Sequence, residues 1–250
     1  MQSLYLVHLD RHHLGDKLFL KSLAQHFAKG PAGEPPVLLV HGSGEKVERT
    51  LESQGHFPER TDGVLQVEDA AQRRLVERAV RETNQEIVAA LTDEVVSTVG
   101  IQGVDRTLLQ RDAEGRLQAA NAGWLVPLIK QRVIPVVSGL VEDGDVEEVW
   151  PADVIVALAT ALSDDFDPVA CALTTTEQAG LSGSEGVRSE APVDAVTEEI
   201  VPEPDAVRRF VDAGLPTLVT TLGGIVDEEG PSGTRIQPST TPESTDPSAA

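Results

Sequence analysis

Short runs of Val, Ile and Leu alternate along the chain with longer stretches in which apolar residues recur every three or four positions. The short runs Leu4–Leu9, Val37–Val40, Val95–Val99, Val133–Val137, Val169–Leu173 and Leu215–Leu222 predict strands. They lack clean in-and-out alternation, as strands covered on both faces do. The longer stretches predict helices over Asp16–Ala28, Glu45–Gln54, Glu68–Leu91, Ala119–Gln131, Asp153–Leu162 and Asp205–Ala213. In the third, Leu75, Val76, Ala79, Val80, Ile87, Val88 and Leu91 keep helical spacing among charges. Strands alternating with helices in this way predict an α/β fold, a three-layer α/β/α sandwich with a central mostly parallel sheet. Ligands of such a sheet bind beyond the C-terminal ends of its strands.

The periodicity fades in the C-terminal third. Residues 177–205 carry Gly, Ser, Pro and acids, which predicts a long surface loop with short elements. Residues 230–250 are rich in Pro, Ser and Thr, and beyond Ile236 nothing could be buried, so a disordered tail is expected there. No apolar run approaches the ~18 residues of a spanning helix. The first residues, MQSLYLVHLDRHH, lack the basic leader and apolar stretch of a signal peptide, so a cytoplasmic protein is expected. Cys171 is the sole cysteine, which excludes an internal disulfide framework and a thiolate zinc cluster.

The 250 residues hold 41 acidic and 20 basic side chains, a formal charge of −21. Nucleic acid and anionic membranes would be repelled, and no run of Lys or Arg offers a local exception. Only five of the basic residues are Lys. The acidity fits simple solubility, and it equally fits a salty cytosol, where a Debye length of about 3 Å at 1 M screens the self-repulsion.

The sharpest local signal is the strand that runs into His41-Gly42-Ser43-Gly44, with a helix opening near Glu45. Glycines let the backbone turn tightly and approach a ligand. The first amides of the following helix have no internal partners, so the turn can hold a phosphate or carboxylate. A plain strand-to-helix connection is the alternative, because neither GxGxxG nor GxxxxGK[ST] is satisfied.

This turn, VLLVHGSGEKVERTLESQG, resembles the VHGGG turn of the amino acid kinase family, most closely that of its acetylglutamate kinase branch. Further resemblances follow in order along residues 4–236. Arg60-Thr61-Asp62-Gly63 is similar to the substrate loop, and Thr83–Val88 to the Asn-containing helix. Val99-Gly100-Ile101 resembles the VGL strand end, and Val133–Ser138 the IPVVS strand. Ala152-Asp153 with Ala157-Leu158-Ala159 resembles the NADxxAxxLA helix start, and Gly233–Ile236 the closing GTxI. Gly55–Pro58 and Gly100–Asp105 also resemble the sister kinases that phosphorylate carrier-bound aminoadipate.

The resemblance implies a kinase-like domain over residues 1–229. It would consist of a substrate lobe to about residue 150 and a nucleotide lobe over 151–229, with the closing segment and tail after them. It implies MgATP as phosphoryl donor, a small acidic metabolite such as N-acetylglutamate as acceptor, no metal held by the protein itself, and a homodimer. Gly42, Ser43, Gly44 and Gln66 fall at substrate-binding positions; Thr174, Thr175 and Gly180 fall at nucleotide-binding ones. Asp153 matches the Asp that organises the cations around the transferring phosphoryl group, and His8 and Arg11 lie where catalytic cations are expected.

The cationic positions depart from the pattern. The family's first strand ends in Lys-x-Gly-Gly, where this chain reads His8-Leu9-Asp10-Arg11. The substrate-gripping Arg falls near Leu65 or Gln66, and Asn-x-Asn has become Val149-Trp150-Pro151. The second catalytic Lys falls within 200–205, Ile-Val-Pro-Glu-Pro-Asp. Ser43 is not in a G-x-S-x-G elbow. Either the site is rebuilt around His8, Arg11, His12 or His13, or the fold persists without the chemistry. The first alternative is ATP-dependent phosphorylation of the side-chain carboxylate of N-acetylglutamate, in arginine biosynthesis. The second is an inactive metabolite-binding or regulatory subunit. A kinase of another amino acid, or of carrier-bound aminoadipate or glutamate, is a third.

Overall fold

Eight strands form one sheet in the computed structural model, which describes residues 1–30, 35–61, 63–184, 186–227 and 229–239. They are β1 (Gln2–Leu9), β2 (Val37–His41), β3 (Thr98–Gln102), β4 (Ile134–Ser138), β5 (Phe166–Leu173), β6 (Glu190–Pro192), β7 (Thr217–Thr220) and β8 (Thr234–Gln237). Their order across the sheet is β6-β8-β7-β5-β1-β2-β4-β3. Every pairing is parallel except β7 with β8. The central β1 is flanked by β5 and β2, with His8 level with Ala172 and Val40. The ends of these three strands therefore open on one place.

The helices are α1 (Arg11–Leu14), α2 (Lys17–Lys29), α3 (Lys46–Ser53), α4 (Ala70–Asp93), α5 (Leu125–Lys130), α6 (Pro151–Leu162), α7 (Pro204–Asp212) and α8 (Leu222–Ile225). Alternation along β1 and β2 assigns their residues to two cores. Leu4, Leu6, Leu38 and Val40 pack with Ile129 of α5, Leu158 of α6 and Phe210 of α7. Val7, Leu9, Val37 and Leu39 meet Leu23 and Phe27 of α2 and Ile87 and Leu91 of α4. This is the three-layer α/β/α sandwich that the pattern predicts. Acidic caps start the longer helices: Asp16 accepts from the Leu18 amide, and Asp69 accepts from the Ala71 and Gln72 amides.

Several boundaries differ from the expectation, each for a local reason. The helix expected over Ala119–Gln131 is only Leu125–Lys130, because Leu117–Gln118 pairs with Gln110–Arg111 in a hairpin and the Asn121 side chain is tied to the Arg106 carbonyl. The strand expected at Val95–Val99 starts at Thr98, since α4 runs on to Asp93 and Val95, at φ +64, turns the chain. The stretch Leu215–Leu222 keeps only Thr217–Thr220 as strand, and Thr221 then caps α8 through the Gly224 amide. Within 177–205, Glu190–Pro192 joins the main sheet beside β8. β8 itself occupies part of the expected tail, with Ile236 buried; residues 240–250 of that tail, and Asp62, lie outside the described residues. Two further hairpins, Arg60–Thr61 with Val64–Leu65 and Leu140–Asp143 with Asp145–Glu148, were not signalled by periodicity.

Leu158 is fully buried between α6 and the sheet, whereas Leu18 is 75% exposed. In urea unfolding, Leu158→Ala should cost about 2–5 kcal/mol, and Leu18→Ala should stay within about 0.5 kcal/mol of the parent.

Candidate active site

The site begins with the turn after β2. Gly44 adopts φ +67, a conformation that favours glycine, and a Cβ on Gly42 would stand 2.5 Å from Oε1 of Glu148. Gly42, Ser43 and Gly44 are all buried. The Ser43 amide points inward, as an anion-binding turn requires, and it is already engaged: it donates to Glu148 Oε1 at 2.6 Å, while Ser43 Oγ donates to Oε2 at 3.1 Å. Burial pushes the Glu148 carboxyl above its ordinary range, against the pull of the Ser43 hydrogen bonds and the nearby Arg60 charge. The free volume left around the bend is about 10 Å³, room for one water at most. The place where a small acid is expected therefore holds a carboxylate of this chain.

Behind the turn, Asn84 of α4 donates to His41 Nε2 at 2.9 Å and to the Val136 carbonyl at 2.9 Å. The ring's Nδ1 lies 2.9 Å from the Gly42 carbonyl, so it carries the proton. Burial drives the His41 pKa down to about 4, so the ring is neutral. Gly100 leaves room for Asn84, whose Oδ1 would lie 2.3 Å from a Cβ there.

At the end of β1 the charges answer one another. His8 is 2% exposed, and its Nε2 lies 3.7 Å from Glu203 Oε2, beyond hydrogen-bond reach; it has no hydrogen-bond partner. The Arg11 guanidinium lies 3.8 Å from both Glu203 and Glu48. Arg60 donates to Glu48 at 3.2 Å, to the Gly63 carbonyl at 3.0 Å and to the Gly44 carbonyl at 3.2 Å. Asp10, Glu48, Glu148 and Glu203 thus share this zone with two arginines, which face Glu48 and Glu203. The residues present do not fit the triphosphate of MgATP, which needs uncommitted donors.

Asp10 and His13 form a tight pair on α1, with Nδ1 of His13 2.6 Å from Oδ2 of Asp10. Nε2 of the same ring is 3.3 Å from the Thr174 carbonyl. Burial opposes the charge on each partner, but the mutual hydrogen bond and charge outweigh it. The His13 pKa rises and the Asp10 pKa falls.

The other expected site residues are dispersed. Asp153 opens α6 but bonds Arg209 of α7 at 2.6 Å instead of meeting His8 or Arg11. With Gln66, Glu148, Trp150 and Arg209 it lines a cleft of about 870 Å³. Gln66 is exposed, and its amide donates to the Glu59 carbonyl. Thr174 Oγ1 donates to the carbonyls of Thr176 and Gln178, and Thr175 Oγ1 donates to that of Glu199. Gly180, at φ +117, packs against Thr234. Glu148 and Arg60 carry more of the geometry than any of these. No local signal finds Glu148, since Glu147 and Glu148 pair with Val141 and Leu140, both fully buried. Among the described residues no group of three or more His, Cys, Asp or Glu is placed to hold a metal ion, and no helix is long and apolar enough to cross a membrane.

Strand order, turn and α6 define an α/β/α sandwich of the kind that kinases of small molecules use. The model of the amino acid kinase family matches residues 8–165, and the chain belongs to that family. It is 28% identical to an acetylglutamate kinase of Phocaeicola vulgatus, over 86% of this chain and 92% of that one. It is likewise 28% identical to an acetylglutamate kinase of Deinococcus radiodurans, over 82% and 89%. Among solved structures, smu.665 from Streptococcus mutans superposes with a TM-score of 0.64 at 16% identity, covering 94% of this chain and 99% of that one.

The Asp10–His13 pair has a calculable pH signature. The raised His13 pKa adds stability that is complete below the unfolded value of about 6.5 and is lost as pH rises through the folded value. The lowered Asp10 pKa adds stability that is present above about 3.8 and is lost as pH falls through its folded value. His13→Gln should therefore lower stability by about 1.5–3 kcal/mol near pH 5–6. In thermal melts across pH, the gap from the parent should narrow above neutrality and again under strong acid.

Proposed function

We propose that this chain is a catalytically inactive member of the amino acid kinase family, acting as a regulatory or metabolite-binding subunit. The observation that carries the reading is the His8–Glu203 pair. By the sequence resemblance, His8 stands where the family places one lysine and the second falls within 200–205, a stretch without a cation that contains Glu203; here an imidazole faces a carboxylate 3.7 Å away. A transition-state donor is worth about 2.7–4 kcal/mol, or 10²–10³ in rate. Replacing one lysine by histidine and leaving no cation within 200–205 removes more than one such donor, and Glu203 adds repulsion toward phosphate. Arg60 is held by Glu48 at 3.2 Å, and Arg11, 3.8 Å from Glu48 and from Glu203, faces two carboxylates.

The names of the curated relatives favour a second reading, MgATP-dependent phosphorylation of the side-chain carboxylate of N-acetylglutamate to an acyl phosphate. That reading requires Glu148 to leave the turn and cations to reach the end of β1. One assay separates the two. Purified chain is mixed with MgATP, N-acetylglutamate and hydroxylamine in high-salt buffer. The inactive reading predicts no acyl hydroxamate above the enzyme-free blank, and no melting-temperature shift with nucleotide. Hydroxamate formed at many turnovers per chain overturns it in favour of the second reading. Hydroxamate formed only with aminoadipate or another acid assigns a different acceptor.

A further inference from the structure

The Ser43 turn is built for a carboxylate, and three features show that the fit with Glu148 is specific. The amide and hydroxyl of one residue meet the two oxygens of one carboxylate, at 2.6 and 3.1 Å. Only glycine at 42 admits that carboxylate, because a Cβ there would lie 2.5 Å from Oε1. The backbone also fixes where Glu148 stands. Gly139 donates to the His41 carbonyl at 2.9 Å and accepts from the Val149 amide at 2.9 Å. The residue that follows Glu148 is thereby laced to the end of β2, next to the turn that Glu148 fills.

We infer that the turn remains a carboxylate receptor that Glu148 occupies from within the same chain, and that removing this side chain opens it to a small external monocarboxylate. The inference rests on the proposed closed phosphotransfer site only in treating the turn as its substrate end. The receptor commits to a planar, singly charged acid, because two donors on one residue match two oxygens on one carbon. Occupation by Glu148 also explains how a buried acid persists here: an amide, a hydroxyl and a nearby guanidinium replace the water it gave up.

The test is Glu148→Ala, with melting temperature followed against sodium acetate, sodium chloride at equal ionic strength, and acetamide. The parent should respond equally to acetate and chloride. The variant should melt lower and recover about half or more of the loss with acetate, saturably at millimolar concentrations; chloride and acetamide should not reproduce the recovery. Gly42→Ala in the same background should abolish the acetate response by filling the space. Equal rescue by acetamide would reduce the effect to cavity filling, and no rescue of a folded variant would overturn the inference outright. Should Glu148→Ala not fold, Glu148→Gln carries the test: with the carboxyl that accepts from the Ser43 amide in the parent replaced by a carboxamide, the Ser43 amide proton resonance should move upfield in that variant, and an unmoved resonance overturns the proposal. The hydroxamate assay uses the parent alone, so failure of one reading is distinguishable from failure of the other.

Discussion

A chain with twice as many acids as bases faces a constraint wherever it gathers charge under cover: every buried carboxylate has to be met, and there are few cations to meet it. At the head of the sheet this constraint shapes nearly everything. Glu148 is met by a backbone amide and a hydroxyl, Asp10 by an imidazole, and Glu48 and Glu203 by the two arginines nearby. The two arginines nearest the end of β1 face carboxylates of this chain.

The constraint also explains why the retained family features are those of construction. Asn84 bridges β2 and β4 while fixing the tautomer of His41, so it holds the β2 end in place whether or not anything binds there. Gly100 serves that bridge by leaving space. Asp153 keeps its place at the start of α6, yet its partner is Arg209, a packing contact between two helices.

Much of this was legible from sequence where one physical rule dominated. The period of Leu75 to Leu91 gave α4, and the unbroken apolar runs gave the buried strands β1 and β2. The glycine turn was legible as a tight strand-to-helix connection from its residues alone. What fills the turn was not. Glu147 and Glu148 look alike as neighbouring acids, and each pairs with a fully buried hairpin residue, so only packing in space turns Glu148 to Ser43 and leaves Glu147 with Arg111. Hairpin register depends on partners across space, as does the reach of Asp153 to Arg209, so neither is written in local periodicity.

Trp150 adds a practical consequence. Its indole lies so close over Gly63 that a Cβ there would come within 2.1 Å of the ring, and Nε1 has no hydrogen-bond partner. One of only two tryptophans thus sits at the seam between the Arg60–Leu65 hairpin and the start of α6, dry on its polar edge. Its emission is a built-in optical gauge of that seam, blue while the hairpin stays down and red-shifting once water reaches the indole.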